Sequence, residues 1–294
     1  MTPGGWYLLG APWDCAGSDR GEARAPDALR AAGLAELVGA DLGDADCVID
    51  NLERDDATGV RALPETVRAA RNLADALAAA VPDRAGGRPL VVGGDCSILL
   101  GIYPALRSLV GTVGLWFVDG HPDYLDGSLS ETGETADMEL AILTGDGAEP
   151  LTTLAGDPPM LGTRDVVLLG HRTQSLDATA AAEVARLPAD LRRIDAGAVA
   201  DDPRGAARRG LDWLDRCDHA WLHLDVDVLD SAALPAVSYP GTGGPDWAQL
   251  EALLEPFAHS SRLLGVSVAD FRPDLDPAGE YASRLVRMLA RTLP

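Results

Sequence analysis

Short runs that are apolar on both faces alternate along the chain with stretches whose apolar residues return every three or four positions. The first kind includes "WYLLGA", "PLVVGG", "TVGLWFV", "DVVLLG", "HAWLHLD" and "LLGVSVA". The second includes "APDALRAAGLAELV", "ETVRAARNLADALAAAV", "YPALRSLVG", "ATAAAEVARL", "AARRGLDWLDRC", "WAQLEALLEPFA" and "YASRLVRMLART". Strands that bury both faces and alternate with helices predict an α/β fold, with a mostly parallel sheet covered on both sides. No fixed-period repeat and no long low-complexity linker interrupts the pattern. One domain spanning residues 1–294 is therefore expected, a size a single large α/β unit reaches.

Charge narrows the partners. The chain has 46 acidic and 24 basic residues and a formal net charge of -22, and every basic residue is arginine. Like charges repel, so neither a nucleic acid nor an anionic membrane surface is an expected partner. The four cysteines, Cys15, Cys47, Cys96 and Cys217, lie far apart and form no Cys-x-x-Cys pair, which fits neither a zinc ribbon nor a disulfide framework. The opening "MTPGGWYLLG" lacks a basic segment followed by a long apolar one, and no run reaches the roughly 18 apolar residues of a membrane span. A reduced, cytoplasmic location is the default expectation.

In open parallel sheets, ligands bind outside the carboxyl ends of the strands. The polar residues predicted there are Asp95-Cys96-Ser97, then Asp119, His121 and Asp123 in "DGHPD", then His171-Arg172, Asp225 and Asp227 in "DVD", and Asp270. A lone aspartate at a strand end reads most simply as a turn residue or helix cap. Two clusters with two-residue spacing, which points side chains to one side of an extended segment, do not. Four carboxylates brought together would repel and resist burial unless cations neutralise them. Mostly oxygen ligands with one imidazole suit a hard to borderline ion, Mn²⁺ first. Two such ions could share carboxylates and hold a bridging hydroxide for attack on an electrophilic carbon, so the residues alone predict metal-assisted hydrolysis.

These motifs resemble those of the ureohydrolase (arginase and agmatinase) superfamily. Its Gly-Gly-Asp-His-Ser, Asp-Ala-His-x-Asp, Ser-x-Asp-x-Asp and late Glu segments have counterparts here in "GGDCS", "DGHPD", "HLDVDVLDSAALPAVSYPGTGG" and "DFRPDLDP". The opening "GAPWDCAGSDRGEARAPDALRAAGL" is similar as well, so the likeness spans nearly the whole chain. The resemblance implies a three-layer α/β/α fold, a dinuclear manganese centre, a small guanidino substrate and assembly as a homo-oligomer, a trimer or hexamer. It puts Cys96, Asp119, His121, Asp123, Asp225 and Asp227 at metal-ligand positions, with Asp119 and Asp225 as bridges. Asp123 would also orient the hydroxide. Asp270 would face the cationic group, and Ser130, Thr132 and Glu134 would meet the far end of the substrate.

The sequence departs from the family pattern at chemically sensitive places. Cys96 stands where relatives carry a histidine ligand. Ala136 stands at the position of the histidine linked to proton shuttling, and Asp270 replaces a glutamate. The Arg-Asp-x-Asp of true arginases reads Arg-Thr-Gln-Ser here, residues 172–175, which argues against unmodified L-arginine. Cys96 can be read as a small packed hydrophobe or as a ligand. As a thiolate it would add one negative charge, make the bridging water harder to deprotonate and soften the metal preference; as a thiol it would leave the ion on its side weakly held. A nucleophilic Cys96 with His121 as base is a third reading, disfavoured because the metal claims His121. His171 and His223 lie near strand ends and are candidate shuttles or plain structural residues.

The Cys-for-His exchange also resembles a ureohydrolase subgroup that includes the hydroxyarginine hydrolase of D-cycloserine biosynthesis. A less basic guanidine tolerates a missing shuttle, which makes N-hydroxy-L-arginine a candidate substrate. The alternatives are an agmatinase-like enzyme, a formimidoyl or other amidine hydrolase, and a catalytically degenerate chain acting as a binding subunit.

Overall fold

The computed structural model describes residues 5–80, 87–174 and 176–294. Among the described residues eight strands form one sheet: β1 (Trp6–Ala11), β2 (Ala40–Asp44), β3 (Arg88–Gly93), β4 (Gly114–Val118), β5 (Val166–Leu169), β6 (Arg192–Ile194), β7 (Ala220–Asp225) and β8 (Leu263–Ala269). Their order is β2-β1-β3-β8-β7-β4-β5-β6, and every pairing is parallel.

Alternation along each strand divides the core in two. On β4, Trp116 and Val118 join one apolar cluster while Leu115 and Phe117 join the other. The first cluster is completed by helices Ala25–Ala31, Pro203–Trp213, Trp247–Ala258 and Glu280–Thr292, through residues such as Leu29, Ala206, Leu250 and Leu285. The second is completed by Leu63–Ala80 and Leu99–Val110, through Leu73 and Ile102. Both sheet faces are thus covered, giving the three-layer arrangement the pattern predicts.

Two strands escape the hydrophobic pattern because they are edges. β2 carries two aspartates and no fully buried residue, and β6 buries only Ile194. The four central strands matter most for function. Register pairs Val118 with Leu224, Asp225 with Ala269, and Val92 with Val268. The segments that leave β3, β8, β7 and β4 therefore emerge side by side at one edge of the sheet.

Candidate metal centre and cavity

Cys96 is delivered by a tight turn. Gly94 is needed there because a Cβ would lie 1.5 Å from the Trp13 carbonyl oxygen, and its own carbonyl accepts the Asp270 amide at 2.7 Å. Asp95 points away from the centre and builds the turn, accepting from the Cys15 amide at 2.6 Å and the Ser97 amide at 3.0 Å. Cys96 follows with its sulfur 3.6 Å from Asp123 Oδ2 and 3.3 Å from the Ala136 carbonyl oxygen. Burial, followed by the surrounding charges of Glu139, Asp270, Asp123 and Asp225, pushes the thiol well above its ordinary range.

The aspartates converge as their spacing predicts. Ligand atoms of Cys96, Asp119, Asp123 and Glu139 all lie within 4.8 Å of one another, as do those of Asp119, His121 and Asp227, and those of Cys96, Asp225 and Asp270. Asp119 and Cys96 each belong to two of these groups. Asp225 sits with Cys96 and Asp270 rather than in the group that holds His121. Asp123 and Asp270 have φ of 48° and 68°, left-handed backbone that costs a non-glycine residue energy and is found where function demands a particular side-chain direction.

The electrostatics are those of a site short of positive charge. Burial and then neighbouring carboxylates raise Asp119, Asp123 and Asp225 well above the carboxylate range, and burial does the same to Asp270. Asp119 Oδ2 and Asp270 Oδ2 are buried without a hydrogen-bond donor among the described residues. His121 goes the other way: burial would lower it, but Asp227, 2.8 Å from Nδ1, holds it up at about 9. Burial alone would raise Asp227 too, yet His121 and Arg172 bring it below the usual range. Orphaned oxygens, facing carboxylates and an available imidazole fit divalent cations.

Above the cluster opens a cavity of about 260 Å³. Cys96, His121, Asp123, Asp225, Asp227 and Asp270 form its floor, with Thr132, Glu134 and Ala136 along the wall. Ser130 is absent from the lining: it lies behind the wall and donates its hydroxyl to Asp137 at 2.6 Å. Thr132 also donates to Asp137, at 3.0 Å. Glu134 is buried by an ion pair with Arg20 at 2.9 Å, and Arg20 is held on its other side by Glu22 at 3.1 Å. Arg172 backs the floor, its Nη2 donating to the Asp227 carbonyl at 2.6 Å, while Ser175 falls outside the described residues.

The sequence reading missed three residues of this site. Arg20 comes from a loop 114 positions before Glu134 in sequence. Glu183 lines the cavity from helix Ala178–Arg186, accepts the Tyr124 amide at 2.8 Å, and is raised to about 7 by burial. Glu139 opens the short helix Glu139–Leu143, fully buried, with neither carboxylate oxygen partnered among the described residues. A lone glutamate inside the apolar run "MELAIL" was the available signal.

Neither candidate shuttle histidine lines the cavity. His171 is buried and held down to about 4, by burial and then Arg193. His223 stacks on Phe117 with ring centroids 5.3 Å apart, shares a 2.7 Å hydrogen bond with Ser267, and is held down to about 3 by burial. It therefore stays neutral in the folded chain while the unfolded chain takes up a proton near pH 6.5. That contribution to stability is complete above about pH 6.5 and is lost as pH falls toward the folded value, on the order of 5 kcal/mol at full extent. His223→Gln should flatten the denaturant-derived stability curve between pH 6.5 and 4 by one proton. An unchanged slope would show that water reaches the imidazole.

Comparison with known proteins places this geometry. The model of the arginase family matches residues 5–293. The chain belongs to the arginase family. This arginase-family chain is 28% identical to the arginase of Brevibacillus brevis, over 96% of its own length and 95% of that protein. It is also 28% identical to the formimidoylglutamase of Aeromonas hydrophila, over 70% of its length and 63% of that protein. The solved structure of Bacillus caldovelox arginase superposes with a TM-score of 0.85 at 27% identity, covering 99% of this chain and 97% of that one. Members of the arginase family are metal-dependent hydrolases of amidino C–N bonds, and the acidic cluster of this member has the character of such a centre. Among the described residues no helix is long and apolar enough to cross a membrane.

Proposed function

We propose that this chain hydrolyses the C–N bond of a guanidino or N-hydroxyguanidino group with two Mn²⁺ ions, releasing urea or hydroxyurea and an amine. The observation that carries the reading is Asp119: it is shared by two ligand groups at adjacent strand ends and keeps a buried oxygen without a donor among the described residues. Asp119, His121, Asp123, Asp225 and Asp227 would hold the ions, with Cys96 alongside. When bound, such ions neutralise the carboxylates and acidify water enough to supply a nucleophile at neutral pH. Asp123, fixed by its left-handed backbone, accepts the proton of the attacking water and aligns it. Asp270 faces the planar cation across the floor.

Two features shape the substrate. His121 is the one imidazole lining the cavity among the described residues, and Ala136 stands where the family resemblance places a shuttle. An N-hydroxyguanidine is less basic, so its carbon is reached by the nucleophile without a full cationic charge to neutralise, and this suits that arrangement and favours N-hydroxy-L-arginine at the reacting end. The far end favours a second reading. Glu131, Asp177 and Glu183 face the cavity, and Arg20 is already paired with Glu22 and Glu134. Among the described residues an α-carboxylate meets no free cation there, which supports an agmatine-like substrate that lacks it.

A panel of L-arginine, N-hydroxy-L-arginine, agmatine and N-hydroxyagmatine separates the two contributions. With Mn²⁺ supplied, each N-hydroxy member should outpace its parent, and each carboxylate-free member should show a KM lower by at least about tenfold, ~1.4 kcal/mol. Formimidoylglutamate, scored for formamide, tests the amidine alternative. No urea, hydroxyurea or formamide from any of the five would remove the hydrolase proposal.

A further inference from the structure

Glu139 has no place in the chemistry above, yet it is buried against the centre of the site. It lies on a five-residue helix whose start is fixed to Asp123: the Asp123 carbonyl accepts the amides of Leu140 at 3.2 Å and Ala141 at 3.3 Å. Three residues earlier, the Ala136 carbonyl takes the Cys96 thiol at 3.3 Å. These contacts clamp the segment 136–141 over the sulfur and over Asp123, and they aim the Glu139 side chain between them. One of its carboxylate oxygens lies within the common 4.8 Å neighbourhood of ligand atoms from Cys96, Asp119 and Asp123. Both oxygens are buried, and no hydrogen bond of ordinary geometry reaches either among the described residues; the nearest groups able to share a proton are Asp123 and Cys96.

A structural buried glutamate is held by donors, because an unpartnered buried acceptor costs about 1 to 3 kcal/mol and an unpaired charge more. Among the described residues, Glu139 is surrounded by the Asp119 and Asp123 carboxyls and the Cys96 thiol, groups that can share a proton with it but bring no positive charge. Carboxylates that face one another across such a gap call for a cation between them. Position 96 explains the available space, since cysteine is smaller than the histidine that the family resemblance places there.

We propose that Glu139 is a metal ligand, which with Asp119 and Asp123 holds one divalent ion beside Cys96. The ligand lost at position 96 is thereby supplied from another element of the fold. A carboxylate in that place also keeps the site hard, which matches Mn²⁺ better than a thiolate does. This inference rests on the reading that the cluster binds divalent cations, and its test separates the two.

The full-length chain, Glu139→Gln and Glu139→Asp are stripped by chelation and titrated with Mn²⁺, with free ion followed by electron paramagnetic resonance. The wild type should bind two ions. Glu139→Gln should lose affinity for one of them by more than about 100-fold, since substitutions behind the ligands already cost about 10- to 100-fold, and Glu139→Asp should fall between. Melting of the metal-free proteins supplies the second readout. A purely structural Glu139 would leave the Mn²⁺ isotherm intact and lower the metal-free melting temperature in the Gln variant. A ligand gives the reverse, an isotherm missing one step and a metal-free melting temperature equal to or above wild type. If Glu139→Gln does not fold, the Asp variant carries the comparison, and a wild-type isotherm from it overturns the proposal. Identical wild-type and Gln isotherms overturn it while leaving the hydrolase reading standing. A wild-type chain that binds no Mn²⁺ overturns both.

Discussion

Asp119→Asn should lower kcat on the best guanidino substrate by at least about a thousandfold, ~4 kcal/mol of transition-state stabilisation. The size follows from position. Asp119 is the one carboxylate common to the Cys96-Asp123-Glu139 group and the His121-Asp227 group, so its loss weakens both ion positions together. The amide is close in size and can still accept the His121 amide, as Oδ1 does at 2.6 Å, so the fold is expected to survive. Removing one buried carboxylate from a cluster of them also relieves repulsion. The metal-free variant should therefore melt no lower than the metal-free wild type. Measured together, kcat collapses while the metal-free melting temperature holds or rises if Asp119 serves the ions. They fall together if it serves only the fold.

Chelation of the wild type should lower its melting temperature by on the order of 7 °C for each ion removed. A ligand present at about a thousand times its dissociation constant contributes about 4 kcal/mol, and the unfolding entropy of a chain of this size converts that to roughly 7 °C. The gap should widen as pH rises from 5 to 8. Asp119, Asp123, Asp225 and Asp270 are raised in the folded chain, and His121 is raised to about 9. Groups raised on folding contribute stability below their unfolded pKa and lose it as pH climbs through the folded value. The metal-free protein thus weakens with rising pH, while ions that compete with those protons bind more tightly. Calorimetry at pH 5, 6.5 and 8, with Mn²⁺ and with chelator, reads this directly. A constant gap would mean that the ions do not displace these protons.

How far the sequence foretells this molecule depends on how local each signal is. The central strands are legible because both faces are buried, and β2 and β6 are not because edge strands carry polar residues. Asp119, His121 and Asp123, and Asp225 and Asp227, are legible because two-residue spacing at a strand end is itself a geometric statement. The register that sets β4 beside β7 then brings the two sets together. Glu139 and Arg20 are not legible in this way. What makes Glu139 part of the site is the Asp123 carbonyl that anchors its helix, and what makes Arg20 part of the wall is Glu134, far along the chain. The left-handed backbone of Asp123 and Asp270 is likewise a product of packing, with no glycine to announce it. Ser130 shows the converse: its sequence neighbourhood suggests a substrate contact, and its hydroxyl is instead committed to Asp137.

The most direct test of a metal-dependent guanidino hydrolase is to strip the protein, return Mn²⁺ in steps, and follow bound ion and product release in the same samples. The account predicts no release from the stripped chain and a rate that rises with bound Mn²⁺ and levels off at two ions per chain. Full release from the stripped chain would contradict it. So would a folded, Mn²⁺-loaded chain inactive on every substrate of the panel, which would make this family member a binding subunit rather than an enzyme.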